Sequence, residues 1–339
     1  MFTVKPWLAV IALVSVTGVA SAASWTALPE TAPAPANNPT TEAKIELGKM
    51  LFHDPRLSST GTVSCSSCHS TLLGGDDNRK VSMGVHGQTG GRSAPTVWNA
   101  AFNEVQFWDG RAASLEEQAA GPVTNSIEMG MKSWKQVVAR LKTIPGYQSA
   151  FDAAFGADSI SKDNATKAIA AFERTLITPN SAYDKYVNGD KTAMTEQQIR
   201  GMNAFAETGC TSCHAAPLFS TTGVFMKFPT FKNNALRARY HFDKDKGRAE
   251  VTKKSEDNNL WKVPTLRNIA LTAPYFHNGA VGTLDRAVKV MAKLQLNKDL
   301  STEETADIVA FLNALTGEFP EHRNPHRLPT TPNTRFVTR

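Results

Sequence analysis

The stretch CSSCHSTLLGGDDNRKVSMGVHG, residues 65–87, opens on Cys65-x-x-Cys68-His69 and ends beside a second histidine, His86, held between Val85 and Gly87. The opening unit recurs as Cys210-Thr-Ser-Cys213-His214, and the two units contain all four cysteines of the chain. In each, two thiols stand about one helical turn apart with an imidazole directly behind them. That spacing suits thioether attachment to the two vinyl groups of a haem, with the adjacent histidine ligating the iron. A structural zinc site needs four ligands gathered in one place, whereas these pairs lie 145 positions apart. A thioredoxin-type redox pair needs a βαβ setting that the flanking sequence lacks. The units read as two covalent c-type haem sites. Cys65, Cys68, Cys210 and Cys213 are the attachment points, and His69 and His214 the proximal iron ligands.

The rest of the chain suits an exported protein. Lys5, the apolar run WLAVIALVSVTGVA (7–20) and the small triplet Ala20-Ser21-Ala22 form a secretory signal, with cleavage expected near Ala22. The apolar run is short for a membrane span, so a soluble periplasmic protein is expected, with an uncleaved anchor as the alternative. Exported proteins usually spend cysteine on disulfides, but here none is left over. The 339 residues are 41% hydrophobic, enough for two domains with real cores. A net charge of +6 is mild and does not point to nucleic acid. It is uneven, however: residues 227–254 carry nine Lys/Arg against three Asp/Glu. That segment is either a solvated loop or a docking patch for an acidic partner.

Residues 26–41, TALPETAPAPANNPTT, read as an extended leader. Beyond them the signals are helical. Thr195-Glu-Gln-Gln198 and Ser301-Thr-Glu-Glu304 are capping boxes, and Ala165, Ala168, Ile169, Phe172 and Leu176 share a helix face, as do Ile308, Phe311, Leu312 and Leu315. The class is mostly α, with long loops around the cysteine units. The chain is also duplicated: APTVWNAAFNEVQFWDGRAASL (94–115) matches VPTLRNIALTAPYFHNGAVGTL (263–284) without a gap, each downstream of its own Cys-x-x-Cys-His. Gly48-Lys-Met-Leu-Phe52 echoes Gly201-Met-Asn-Ala-Phe205 just upstream of each cysteine pair. One position differs tellingly, since Trp108 occupies the slot of His277, and a division of labour between the copies is expected.

From about Ala43 to Pro320 the sequence resembles the bacterial di-haem cytochrome c peroxidases. The motifs that carry the resemblance are the two cysteine units, GVHGQTGGRSAPTVWNAAFNEVQFWDGRA, EEQAAGPVTNSIEMG, VPTLRNIALTAPYFHNGA and AVKVMAKLQLNKDLSTEETADIVAFLNALTGEFP. It implies two tandem cytochrome c-like domains, a peroxidatic one over residues 43–185 and an electron-transfer one over 186–325. A signal peptide (1–22) and leader (23–42) precede them and a tail (326–339) follows. Met291 lies on an apolar helical stripe with Leu284, Ala287, Val288 and Leu294 and by pattern alone is a core residue. The resemblance makes it the axial ligand that keeps the C-terminal haem at high potential. Related enzymes that oxidise a partner protein carry tyrosine there.

By itself His86 is a solvent histidine on a glycine-flanked loop. The resemblance implies a detachable ligand of the N-terminal iron, although some family members keep that iron open even when oxidised. Glu128 is implied as the proton-transferring carboxylate, Gln118 and Pro122 as its pocket neighbours, and Trp108 as the bridge between haems. A calcium ion is implied between the domains, at the carbonyls of Thr272 and Pro274 and a position that is Ser93 here. The expected activity is reduction of hydrogen peroxide to water with electrons from a small cytochrome c or cupredoxin, by a homodimer. The alternatives are a di-haem electron carrier without turnover and a peroxide-driven oxidase of a protein partner.

Overall fold

The computed structural model describes residues 25–330 apart from 322 and 326, so the expected signal peptide and most of the tail lie outside the described residues. The architecture is mostly α. Helices α1 (Glu42–His53), α2 (Cys65–Cys68), α3 (Leu115–Thr124), α4 (Trp134–Lys142), α5 (Pro145–Phe155) and α6 (Lys162–Glu173) build the first half. Helices α7 (Ala182–Val187), α8 (Glu196–Thr208), α9 (Asn234–Tyr240), α10 (Ala249–Thr252), α11 (Leu284–Leu296) and α12 (Thr302–Asn313) build the second. A short antiparallel ribbon pairs β1 (Phe225–Lys227) with β2 (Leu260–Lys262), Met226 facing Trp261. No described helix is long and apolar enough to cross a membrane.

Each half rests on one close helix crossing. Both expected capping boxes form, at Thr195/Gln198 and Ser301/Glu304, and start α8 and α12. In the first half α1 crosses α6 at Gly48, where a Cβ would lie 1.9 Å from the Ala168 carbonyl oxygen. In the second, α8 crosses α12 at Gly201, where a Cβ would lie 1.8 Å from the Asp307 carbonyl oxygen. Only glycine permits backbones to meet this closely. Phe52 and Phe172 pack beside the first crossing, Phe205 and Phe311 beside the second. One apolar core draws on residues from Leu47 to Leu176, and two others on residues from Tyr183 to Leu315.

The repeat is equally plain in the loops. Asn99 and Asn268 take left-handed backbone at φ 62° and 59°, and Phe107 and Phe276 at 68° and 70°. Both asparagines donate from Nδ2 to the Thr178 hydroxyl, at 2.8 and 2.9 Å, which fastens the two copies to one linker residue. The Ser93 amide donates to the His277 carbonyl at 2.8 Å, and the Lys262 amide donates to the Trp108 carbonyl at 2.9 Å. Ser93 and Lys262 are themselves equivalent in the repeat, so the copies exchange matched hydrogen bonds where they meet.

The leader has no regular structure, as its composition predicts, but it is docked. Trp25 packs edge-on to Tyr183 and Phe311, and the Leu28 amide donates to Asp184 Oδ1 at 2.9 Å. Asp184 also holds the fully buried Arg267, at 2.7 Å. Proline-rich composition reports stiffness and says nothing of what an extended chain lies against.

Candidate functional site

Two cavities, of about 180 and 260 Å³, each hold one cysteine unit in their walls, and residues of both halves line the larger. Cys65, Cys68 and His69 line the first; Cys210, Cys213 and His214 line the second. The His69 Nδ1 lies 3.0 Å from the Pro95 carbonyl, and the His214 Nδ1 lies 2.9 Å from that of Phe219. Those contacts orient each ring and leave Nε2 as the nitrogen available to a metal. Burial holds both imidazoles below the usual histidine range, and therefore neutral, as an iron ligand requires. Burial pushes the Cys65 and Cys210 thiols up to about 12. No cysteine is in a disulfide. Unpaired thiols on apolar walls, each pair beside a buried histidine, fit covalent haem attachment. Trp108 lines both cavities, donates from Nε1 to the Ser93 carbonyl at 2.9 Å, and meets the His277 ring edge-on at 6.4 Å.

The N-terminal cavity gathers Gln118 and Pro122 from α3 and Glu128 from the loop after it. Glu128 accepts from Asn125 Nδ2 at 2.9 Å. Burial raises its pKa, opposed by the nearby Arg111 charge and the Asn125 bond. A carboxyl so placed holds its proton more readily than an exposed glutamate does. His86 stands apart. It is exposed, has φ 59°, and is not part of either cavity wall. The root of its loop does reach the wall, through Gly84 and Gly90. The Val85 amide donates to the Glu128 carbonyl at 2.8 Å, and a Cβ on Gly84 would lie 2.1 Å from the Ile127 carbonyl oxygen. The histidine loop is thus seated on the segment that presents Glu128.

In the C-terminal cavity Met291 is half-buried on α11 and shares the wall with Leu284, Ala287 and Val288. Four of the five residues of the apolar stripe read from sequence therefore line the cavity, while the fifth, Leu294, is buried in the core. Ser93, Thr272 and Pro274 line this cavity too. The Ser93 hydroxyl points to the Arg79 carbonyl, at 3.5 Å. Next to them Asn78 donates from Nδ2 to the Leu271 carbonyl at 2.7 Å and the Ala273 carbonyl at 3.1 Å.

Among the wall residues that sequence reasoning missed are three buried charged ones. Asp76 lines the C-terminal cavity, its carboxyl pushed by burial to about 7. Lys262 lines the same cavity, its ammonium pushed by burial to about 8. Glu173 lines the N-terminal cavity from the last turn of α6. Part of the Lys227–Lys254 basic segment serves as internal bracing, with Arg237 on Asp243 and Arg248 over the Phe225 ring at 4.1 Å. Lys232, Lys244, Lys246, Lys253 and Lys254 remain exposed.

The family model for di-haem cytochrome c peroxidase matches residues 42–192. The cytochrome c551 peroxidase of Nitrosomonas europaea is 44% identical over 309 residues, covering 89% of this chain and 88% of that one. The cytochrome c peroxidase Ccp of Escherichia coli is 46% identical over 291 residues, covering 85% of this chain but 61% of the longer relative. Among solved structures, a MauG-like protein associated with microbial copper homeostasis superposes with a TM-score of 0.76 at 31% identity, over 87% of this chain and 97% of that one.

Proposed function

The chain belongs to the di-haem cytochrome c peroxidase family, and from that premise we propose that it reduces hydrogen peroxide to water with electrons from a small donor protein, a cytochrome c or a cupredoxin. The observation that carries the reading is Glu128: a tethered, largely buried carboxyl in the wall of the same cavity as Cys65, Cys68 and His69.

The balance is H2O2 + 2 e− + 2 H+ → 2 H2O. A haem held by Cys65, Cys68 and His69 would supply the iron at which the O–O bond breaks, and one held by Cys210, Cys213, His214 and Met291 would supply electrons. The protein contributes the rest. Glu128 would take a proton from one peroxide oxygen and return it to the other as it departs, a contribution of typically about 10²–10⁴-fold. Gln118 orients the peroxide or a water, and Pro122 fills the wall without offering a ligand. Trp108, in contact with both cavities, shortens the path between them. His86 would be the second histidine to hold the N-terminal haem in the resting protein and would have to swing in from its exposed position, the glycines of its loop absorbing the change. The Thr272 and Pro274 carbonyls, with Ser93, offer oxygen donors that fit calcium, with water completing the shell. The protein acts in the periplasm after loss of residues 1–22, as a homodimer. The exposed lysines between Lys232 and Lys254 receive an acidic face of the donor.

The test is steady-state peroxide consumption by half-reduced protein supplied with a reduced small cytochrome. The parent turns over. Glu128→Gln, which keeps the shape and removes the proton carrier, retains both haem spectra and loses about 10²-fold or more. Turnover within about twofold of the parent removes Glu128 from the mechanism, and an inactive parent leaves an electron carrier.

A further inference from the structure

Glu173 is the least expected residue in the N-terminal cavity. It is 5% exposed, and its Oε2 has no hydrogen-bond partner among the described residues. It makes no ion pair among them either: Arg174, its neighbour, binds Glu116 of α3 instead, at 2.7 Å. A buried carboxylate without a partner is costly, and such a group ordinarily takes a proton.

The duplication says what the slot needs structurally. Gly48 meets the Ala168 carbonyl and Gly201 meets the Asp307 carbonyl, which sets α6 and α12 in register. Ile169 then corresponds to Ile308, Phe172 to Phe311, and Glu173 to Leu312. Ile308 and Leu312 line the C-terminal cavity as Ile169 and Glu173 line the N-terminal one. Where the cavity only has to be walled, the residue is leucine, buried and apolar. The N-terminal half has a carboxyl in the same place, at a cost that packing does not repay.

We propose that Glu173 is a proton-holding group of the N-terminal site, taking up one proton from solvent when that site gains an electron and releasing it when the electron leaves. The carboxylate plus H+ gives the neutral acid as one electron arrives from the donor, so no net charge is added to the buried cavity. Glu128 then shuttles its proton during O–O cleavage, while Glu173 keeps the cavity's charge level between turnovers; it is a positioning group for charge and does not touch peroxide. The charged and titratable groups that bear on it are Arg174 beside it, Glu116 on α3 and Cys65 on α2; Glu128 also bears on Cys65, and Lys44 on α1 bears on the neighbouring Arg174. Burial, partly offset by Arg174, pushes Glu173 to about 8, which sets the region where the exchange is visible.

This inference rests on the first cavity being a haem site, and the two fail differently. If that reading fails, Cys65 and Cys68 carry no covalent haem in the purified protein. If the inference fails, the haem is present and its potential ignores Glu173. The experiment is a potentiometric titration of the N-terminal haem in the full holoprotein between pH 6 and 9, for the parent, Glu173→Gln and Glu173→Leu. The parent potential should fall as pH rises around 8, approaching about 59 mV per unit, the value for one proton per electron. Both variants should flatten that slope and leave the pH response of the C-terminal haem unchanged. Redox-difference infrared spectra of the parent should show a buried carboxyl stretch that changes on reduction and is missing from both variants. A flat parent, or a slope that survives Glu173→Gln, overturns the proposal. Glutamine preserves the shape, so the test stands even if Glu173→Leu does not fold, and the parent's slope and spectrum decide it without any variant.

Discussion

The two halves share their scaffold and differ at the residues that face their cavities. The shared parts are the glycine crossings at Gly48 and Gly201, the left-handed asparagines that meet at Thr178, and the histidines whose Nδ1 is oriented by a carbonyl. The differences become visible when the repeat register of 94–115 on 263–284 is carried into α3 and α11. Leu115, Gln118, Ala119 and Pro122 then fall on Leu284, Ala287, Val288 and Met291, and all eight line their respective cavities. Pro122 therefore stands where the other copy has Met291. A thioether can ligate iron and proline cannot, so with Met291 as ligand one register position would separate a site closed by its own helix from a site left open. Gln118 for Ala287 and Glu173 for Leu312 are changes of the same kind, a polar group against an apolar filler, while Trp108 for His277 exchanges an indole for an imidazole. Duplication supplies the control: what repeats builds a haem pocket, and what does not repeat decides its work.

The strongest test of the shared part is to break each crossing alone. Gly48→Ala and Gly201→Ala each put a Cβ within 2 Å of a carbonyl oxygen. Overpacking of that severity costs at least the upper end of roughly 1–3 kcal/mol. It outweighs the gain of about 1 kcal/mol that alanine brings to a helix. Both variants should melt at clearly lower temperature by circular dichroism, by similar amounts, with reduced haem loading in the affected half. A large loss from one and none from the other would show that the halves do not share this device.

Met291→His probes the unshared part. The axial ligand sets haem potential across a span of about 0.8 V, and methionine lies toward its upper end. The substitution should lower the C-terminal potential by a sizeable share of that span, leaving haem count and circular dichroism intact. The N-terminal potential should move little, because the change is confined to α11. Two unchanged potentials in a redox titration would mean that Met291 only walls the cavity.

Much of this was legible in the sequence. The cysteine units, the repeat and the capping boxes depend on residues close together in the chain, and each lies where its pattern places it. The docked leader, Asp76, Lys262 and Glu173 were not legible, because burial of a charged residue is decided by elements far away in sequence. For Glu173 a signal did exist: ATKAIAAFERTL (165–176) aligns without a gap on ETADIVAFLNAL (304–315), a glutamate facing a leucine. Reading it required knowing that the two helices cross equivalent glycines. His86 illustrates the opposite limit. Its glycine-flanked loop reads correctly as exposed, but nothing local to it shows that the loop is seated on the Glu128 segment.

That loop carries the prediction of smallest energetic reach. If His86 caps the N-terminal iron at rest, the fully oxidised parent has a low-spin N-terminal haem and shows a lag, or no turnover, until one electron reaches the C-terminal site. The C-terminal half would need no counterpart to this device if Met291 of α11 is its cap. His86→Gly should give a high-spin N-terminal haem before any reduction. The variant is clean, because His86 is exposed and already has φ 59°, a conformation glycine takes without penalty. Stability should stay within about 0.5 kcal/mol of the parent, as for surface positions generally. Deleting the cap need not restore full rate. Gly84 packs on the Ile127 and Glu128 backbone, and the Val85 amide donates to the Glu128 carbonyl, so release of the loop should also shift the carboxyl. Calcium at Ser93 and reduction of the C-terminal haem would bias that same movement from its far end, each by binding the open form better. Electron paramagnetic resonance of the oxidised proteins decides the matter. A parent already high-spin at the N-terminal haem, and active without reduction, would make the open slot at Pro122 sufficient and leave His86 an ordinary surface residue.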